Sequence, residues 1–206
     1  MDEEQADHFD GLAVSDCPRC PALVESRSRI VNGVGPADAD VLFVGEAPGA
    51  TEDAEGEPFV GRSGAVLDEQ LRAVGLDRES VRITNCVRCR PPENRDPTTE
   101  ELGNCRGYLD AEIQRVDPDV IVTLGKVPGE HLLERSIAVT KETGTVEEIR
   151  VGEAETPRRV LICLHPAATL YDRSQESAFA ETIREAAAIA GVSPSDGDGQ
   201  SRLGEF

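Results

Sequence analysis

Four short apolar runs, each closed by a glycine or polar turn, constrain this chain more than any other feature. They are Val41-Leu42-Phe43-Val44, Val81 to Cys86, Val120 to Leu124 and Val160 to Leu164. Runs of this length without polar alternation mark strands buried on both faces. Helical patterns lie between them. Val66, Leu67, Leu71 and Val74 form one apolar stripe, and Leu102, Cys105, Leu109 and Ile113 form a second. The cluster Thr98-Thr99-Glu100-Glu101 supplies N-cap chemistry for the second stripe. Phe179, Ile183 and Ala187 form a third. Alternating strands and helices predict a single-domain, three-layer α/β/α fold with a central four-stranded parallel sheet. In such sheets ligands bind beyond the carboxyl ends of the strands.

The boundaries follow from composition. Residues 1–16 hold six acids and no Lys or Arg and read as an acidic mobile arm. Residues 193–206 are rich in Gly, Ser and Asp and read as a disordered tail, leaving 17–192 as the domain. No run approaches the ~18 to 20 apolar residues of a membrane span, and the acidic N-terminus is unlike a secretory signal. The expectation is a soluble, cytoplasmic monomer with no membrane partner.

The 206 residues carry 40 acids against 21 bases, a net charge of −19. That balance argues against a generic polyanion binder. A second reading is adaptation to molar salt, where the Debye length falls to about 3 Å. Lys126 and Lys141 are the only lysines beside abundant Asp and Glu, which favours this halophilic reading.

Six cysteines need a role: Cys17, Cys20, Cys86, Cys89, Cys105 and Cys163. A reducing compartment disfavours structural disulfides. Cys17-Pro-Arg-Cys20 lies in a polar segment with no helix or strand pattern, so metal ligation suits it better than core packing. Two more thiolates are then needed. Cys86 and Cys89 make a second C-x-x-C, but Cys86 ends an apolar strand whereas Cys89 follows in the loop. Cys105 sits on a helical apolar stripe, and Cys163 lies in a strand as a core residue. Spacing does not separate zinc from an iron–sulfur cluster.

Other unusual residues gather at the strand ends. Gly45-Glu46-Ala47-Pro48-Gly49 follows the first strand, and Glu46 in that turn is a candidate base or electrostatic stabiliser. The loop lacks a phosphate-binding lysine, which disfavours a nucleoside triphosphate site. Phe59, one of seven aromatics, lies between Glu57-Pro58 and Gly61-Arg62-Ser63-Gly64, where it can plug the core or stack on a planar ligand. Asn85 closes a strand, and a buried amide there needs partners or a ligand. His165, in Leu164-His165-Pro166-Ala167-Ala168, has no polar neighbour in sequence to satisfy it.

Together these segments resemble the family 4 uracil-DNA glycosylases, the iron–sulfur type of thermophilic and archaeal microbes. The matching pieces are Gly45 to Gly49 with Glu52-Asp53, Pro58 to Gly64, Thr84-Asn85-Cys86-Val87-Arg88-Cys89-Arg90-Pro91-Pro92-Glu93-Asn94-Arg95, Val120 to Gly125, and His165-Pro166-Ala167-Ala168. They recur in family order from about residue 17 to 190. Family 5 relatives lack the carboxylate that stands here as Glu46. The resemblance implies Cys17, Cys20, Cys89 and Cys105 as ligands of a [4Fe–4S] cluster. Cys86 departs from the family's aliphatic residue and keeps a zinc alternative open.

The resemblance further implies hydrolysis of the N-glycosidic bond of deoxyuridine in single-stranded or duplex DNA. In it Phe59 stacks on uracil, Asn85 pairs with its N3–H and O4, and Glu52 crowds C5 against thymine. His165 hydrogen-bonds O2, and Glu46 stabilises the sugar cation and orients water. The rival is a non-catalytic DNA-binding or polymerase-associated iron–sulfur module on the same fold, which has no need of Glu46 and His165 together. Clamp and repair partners are not legible. Arg82, Arg88, Arg90 and Arg95 against Glu93 give one segment a charge of +3 beside the expected pocket and cluster, although in molar salt phosphate attraction contributes little and binding is expected to rest on the flipped base.

Overall fold

The computed structural model describes residues 8–152 and 156–192. Four parallel strands form where the apolar runs lie: β3 (Val41–Gly45), β4 (Arg82–Asn85), β5 (Val120–Leu124) and β7 (Arg158–Cys163). They stand in the order β4-β3-β5-β7. Val44 pairs with Thr84 on one side and Thr123 on the other, so the strand ends stay level. That alignment brings the segments after β3, β4 and β7 to one edge.

The strand period of two divides the core. Val41, Phe43, Val120 and Val122 point to one face, where Leu67 and Leu71 of α3 (Arg62–Ala73) and Phe179 and Ile183 of α8 (Glu176–Ile189) cover them. Leu42, Val44, Ile121 and Val160 point to the other, against Leu109 and Ile113 of α4 (Thr99–Val116) and Leu132 of α5 (Lys126–Leu133). Each such side chain contributes about 1.5 to 3 kcal/mol on burial. The expected cap is present: Glu101 N donates to Thr98 Oγ1 at 3.2 Å, and Thr98 N donates to the Glu101 carboxylate at 2.8 Å.

The three-layer α/β arrangement agrees with the sequence reading, but the sheet holds a fifth strand. β6 (Val146–Ile149) runs antiparallel to β7 at the edge. Its Glu147 and Glu148 hide it from an apolar-run criterion, because an edge strand buries little and its charges discourage further pairing. At the opposite edge, an isolated bridge from Val34 to Ile83 covers β4.

Residues 8–16, expected within the mobile arm, are instead docked. β1 (His8–Phe9) and β2 (Val14–Asp16) make an antiparallel pair. Val14 N donates to Asn32 Oδ1 at 2.8 Å, and the Phe9 ring lies 5.0 Å from Tyr108. Arg88 Nη1 also donates to Leu12 O at 2.6 Å and Asn32 Nδ2 to Val14 O at 3.1 Å, so polar contacts as well as apolar ones hold the segment despite its acids. Residues 1–7 and the tail 193–206 lie outside the described residues. Among the described residues, no helix is long and apolar enough to cross a membrane.

Candidate active site

A cavity of about 180 Å³ opens at the carboxyl ends of β3, β4 and β7, lined by Glu46, Ala47, Gly49, Glu52, Phe59, Ser63, Asn85 and His165. All five residues singled out in the sequence as Glu46, Glu52, Phe59, Asn85 and His165 therefore meet in one place. Their sequence separation reaches 119 positions, and the level strand ends remove it.

Asn85 is the last residue of β4 and is buried, yet its side chain makes no hydrogen bond among the described residues. A buried amide left open beside a cavity is equipped for a ligand with complementary donors and acceptors. Gly45 makes room for it. A Cβ at Gly45 would lie 2.3 Å from Asn85 Oδ1 and 2.5 Å from Phe59 Cε2.

Phe59 adopts φ +56°, a left-handed conformation that costs a non-glycine residue about 1 to 3 kcal/mol and persists only where its surroundings enforce it. Its ring is 6% exposed and stands 5.9 Å from the His165 ring at 34°. The sequence offered a core plug or a stacking platform, and Phe59 both packs in the core with Phe43 and Leu67 and lines the cavity.

Glu52 lies in α2 (Ala50–Glu55) and caps its own helix. Oε2 accepts from Gly49 N at 3.1 Å and Oε1 from Gly61 N at 3.3 Å. Its carboxylate therefore ties together the two loops that carry Glu46 and Phe59.

His165 precedes α7 (Pro166–Tyr171), and its Nδ1 accepts from Ala167 N at 3.1 Å. Burial pushes its pKa down, opposed by the charge of Glu52. Glu46 shifts the other way: burial, then repulsion and a shared hydrogen bond with Asp96, push its carboxyl up to about 7. Asp96 lies 50 positions away in an irregular loop, and nothing in the sequence marks it as a partner.

The cysteines fall into different surroundings. Cys20, Cys89 and Cys105 share one small apolar cluster with Leu23, Val87 and Leu102. Cys17 is close enough to raise the thiols of Cys20, Cys89 and Cys105. Burial is the larger cause in each, and it pushes Cys105 up to about 11. Two donors point at sulfur: Arg27 Nη1 at 2.8 Å from Cys89 Sγ and Asn104 Nδ2 at 3.4 Å from Cys20 Sγ. Among the described residues no three ligating side chains are already arranged around a metal position. Cys86 packs instead in the core beneath α4, and Cys163 is fully buried in β7.

The +3 segment is only partly open to a ligand: Arg90 is half-buried and bonds the Asn94 amide, whereas the other three arginines are paired with acids. Arg82 and Arg88 are buried, and both bind Glu112 at 2.8 Å, with Thr84 Oγ1 donating to the same carboxylate at 2.8 Å. Arg95 forms a two-pronged pair with Glu101 at 2.7 and 2.8 Å. Buried acids in α4 consume charges that a linear count leaves free.

A parallel α/β sheet with a base-sized, amide-, aromatic- and histidine-lined cavity at its strand ends defines a class, and the family comparison names it. The chain belongs to the uracil DNA glycosylase superfamily, whose model matches residues 32–187. It is similar to the type-4 uracil-DNA glycosylase of Archaeoglobus fulgidus, with 40% identity over 162 residues covering 77% of this chain and 80% of the relative. The type-4 enzyme of Thermotoga maritima is 42% identical over 164 residues, 79% of this chain and 82% of the relative. That of Sulfurisphaera tokodaii is 38% identical over 182 residues, 86% and 81%.

Proposed function

We propose that this chain is a DNA repair glycosylase that excises uracil, and that Glu46, Glu52, Phe59, Asn85 and His165 carry the reaction. The observation that supports this reading is their convergence on one cavity, with the buried side chain of Asn85 in its lining. A deoxyuridine is unreachable inside a duplex, so it is extruded into the pocket. Phe59 stacks on the ring. Asn85 accepts from uracil N3–H and donates to O4, the inverse of what cytosine presents. Glu52, between its two backbone donors, borders C5 and leaves little space for the thymine methyl group.

As C1′–N1 lengthens, the electron pair passes to uracil and the sugar gains cationic character. Nδ1 of His165 is already an acceptor, which leaves Nε2–H as the donor toward uracil O2. A neutral imidazole suffices, and such a preorganised donor is typically worth about 3 to 4 kcal/mol. The Glu46 carboxylate stabilises the cation and orients water, whose oxygen bonds to C1′ while its proton leaves through Glu46 or solvent.

The same reading assigns Cys17, Cys20, Cys89 and Cys105 to a [4Fe–4S] cluster, which when bound would cross-link the N-terminal segment to the loop after β4 and to α4. Three of the four cysteines in one apolar cluster, and two donors aimed at sulfur, suit that group. Zinc is the alternative occupant. We place the enzyme in the cytoplasm as a monomer, with uracil-containing DNA, single-stranded or duplex, as its partner.

Oligonucleotides carrying one deoxyuridine test the activity. Alkali-labile breaks at uracil, and none at thymine in the same context, are expected. A correctly folded, metal-loaded protein that leaves both strands intact overturns the reading in favour of a non-catalytic module.

A further inference from the structure

Phe59 holds its left-handed conformation against a steric preference, so something must enforce it. Its carbonyl is fixed from two sides. On one side Gly64 presses so close that a Cβ there would lie 1.5 Å from Phe59 O. On the other stands Arg78, from the segment between α3 and β4. Arg78 Nη2 donates to Phe59 O, and Nη1 donates to Pro58 O at 3.0 Å. Its Nε is in turn held by Asp68 Oδ1 of α3 at 2.7 Å. One planar guanidinium therefore spans two successive carbonyls while a helix carboxylate fixes its plane, a geometry that a lysine does not reproduce.

We propose that Arg78, braced by Asp68, is a positioning residue for the base-stacking ring: it clamps the Phe59 carbonyl and so sets the angle at which the ring enters the cavity. The inference rests on the reading of Phe59 as the uracil platform. Without the clamp the peptide is free to return to negative φ, and the ring leaves its place beside His165. Arg78 touches neither base nor sugar. Its loss falls on base capture more than on the bond-breaking step.

The test is a double-mutant cycle of Arg78→Gln and Phe59→Ala in the full-length, metal-loaded protein. The readouts are free-uracil binding by calorimetry and kcat and KM on a uracil oligonucleotide. The expected result is uracil affinity and KM weakened on the order of tenfold by Arg78→Gln, with kcat changed much less. In the Phe59→Ala background the same substitution has no further effect on uracil binding. Arg78→Lys recovers only part of the loss. Asp68→Asn, which keeps the guanidinium but removes its brace, gives a smaller change of the same kind and serves alone if Arg78→Gln does not fold. Equal losses in both backgrounds, or unchanged uracil affinity in whichever of these variants folds, overturn the clamp. Wild-type protein that neither binds uracil nor cleaves the oligonucleotide overturns the underlying functional reading instead.

Discussion

The backbone amide of Ala167 donates to Nδ1 of His165 at 3.1 Å, and this one bond decides which nitrogen of the imidazole carries a proton. A ring that accepts at Nδ1 and is neutral must hold its hydrogen at Nε2. Burial pushes its pKa down, although Glu52 pulls the other way. Nitrogen NMR of the labelled protein is expected to show the Nε2–H tautomer for the neutral ring and a protonation midpoint below the ordinary histidine value near 6.5. His165→Ala should lower kcat by about 10² to 10³.

In the proposed reaction Glu46 acts as a carboxylate, and its pKa is raised, so its ionised fraction grows as pH climbs through about 7. The kcat profile should therefore rise through neutrality rather than near pH 4.5. Burial is the first cause and Asp96 the second. Asp96→Asn removes the repulsion and should move the rising limb to lower pH, while Glu46→Gln should flatten it. Single-turnover rates across pH measure both.

Gly45 has no spare volume. Gly45→Ala puts a methyl group against both Asn85 Oδ1 and Phe59 Cε2. A displacement of about 1 Å in positioning groups can cost 10²-fold in rate, and a loss of that order in kcat/KM is expected. The melting temperature should fall far less than for a core deletion, which calorimetry can check.

Asn85→Asp replaces the amide donor with an acceptor and should reduce uracil excision by roughly 10² or more, since it leaves a buried polar mismatch. Val160→Ala removes volume from the core and should cost about 1 to 3 kcal/mol of stability with kcat preserved. Equal losses of activity in the two variants would argue against Asn85 as a pocket residue.

The two cysteine environments separate by metal content. Cys105→Ser should lose iron, acid-labile sulfide and visible absorption in anaerobically purified protein. Cys86→Ser should retain them, because Cys86 packs in the core beneath α4 rather than in the apolar cluster that holds Cys20, Cys89 and Cys105. A colourless protein with zinc and no sulfide would replace the iron–sulfur assignment with the zinc one.

The parallel strands and the helices α3, α4 and α8 are legible because burial on both faces leaves uninterrupted apolar runs and 3.6-residue stripes. Glu46, Asn85 and His165 are legible for a related reason, since strand ends are few and polar residues placed there have nowhere else to meet; Phe59 stands out as a loop aromatic, and Glu52 only through the family resemblance. What escapes the sequence is pairing between polar groups. Asp96 meets Glu46, Arg78 meets Phe59 O, and Asn32 meets Val14 through loops whose paths no periodicity encodes. β6 and the docked hairpin of residues 8–16 escape because few apolar side chains hold them.

The buried carboxylate of Glu112 has a consequence for how this protein meets a polyanion. Two arginines that a linear reading assigns to the surface are occupied inside the fold, and Arg95 is bound by Glu101. Fewer cations then remain to displace counterions from the phosphate chain, and each one missing removes about 0.9 from the slope of log affinity against log salt on a duplex. In the proposed reading, recognition would draw its strength from the extruded base rather than from the backbone charge. Its weak dependence on ionic strength would be a property of the core.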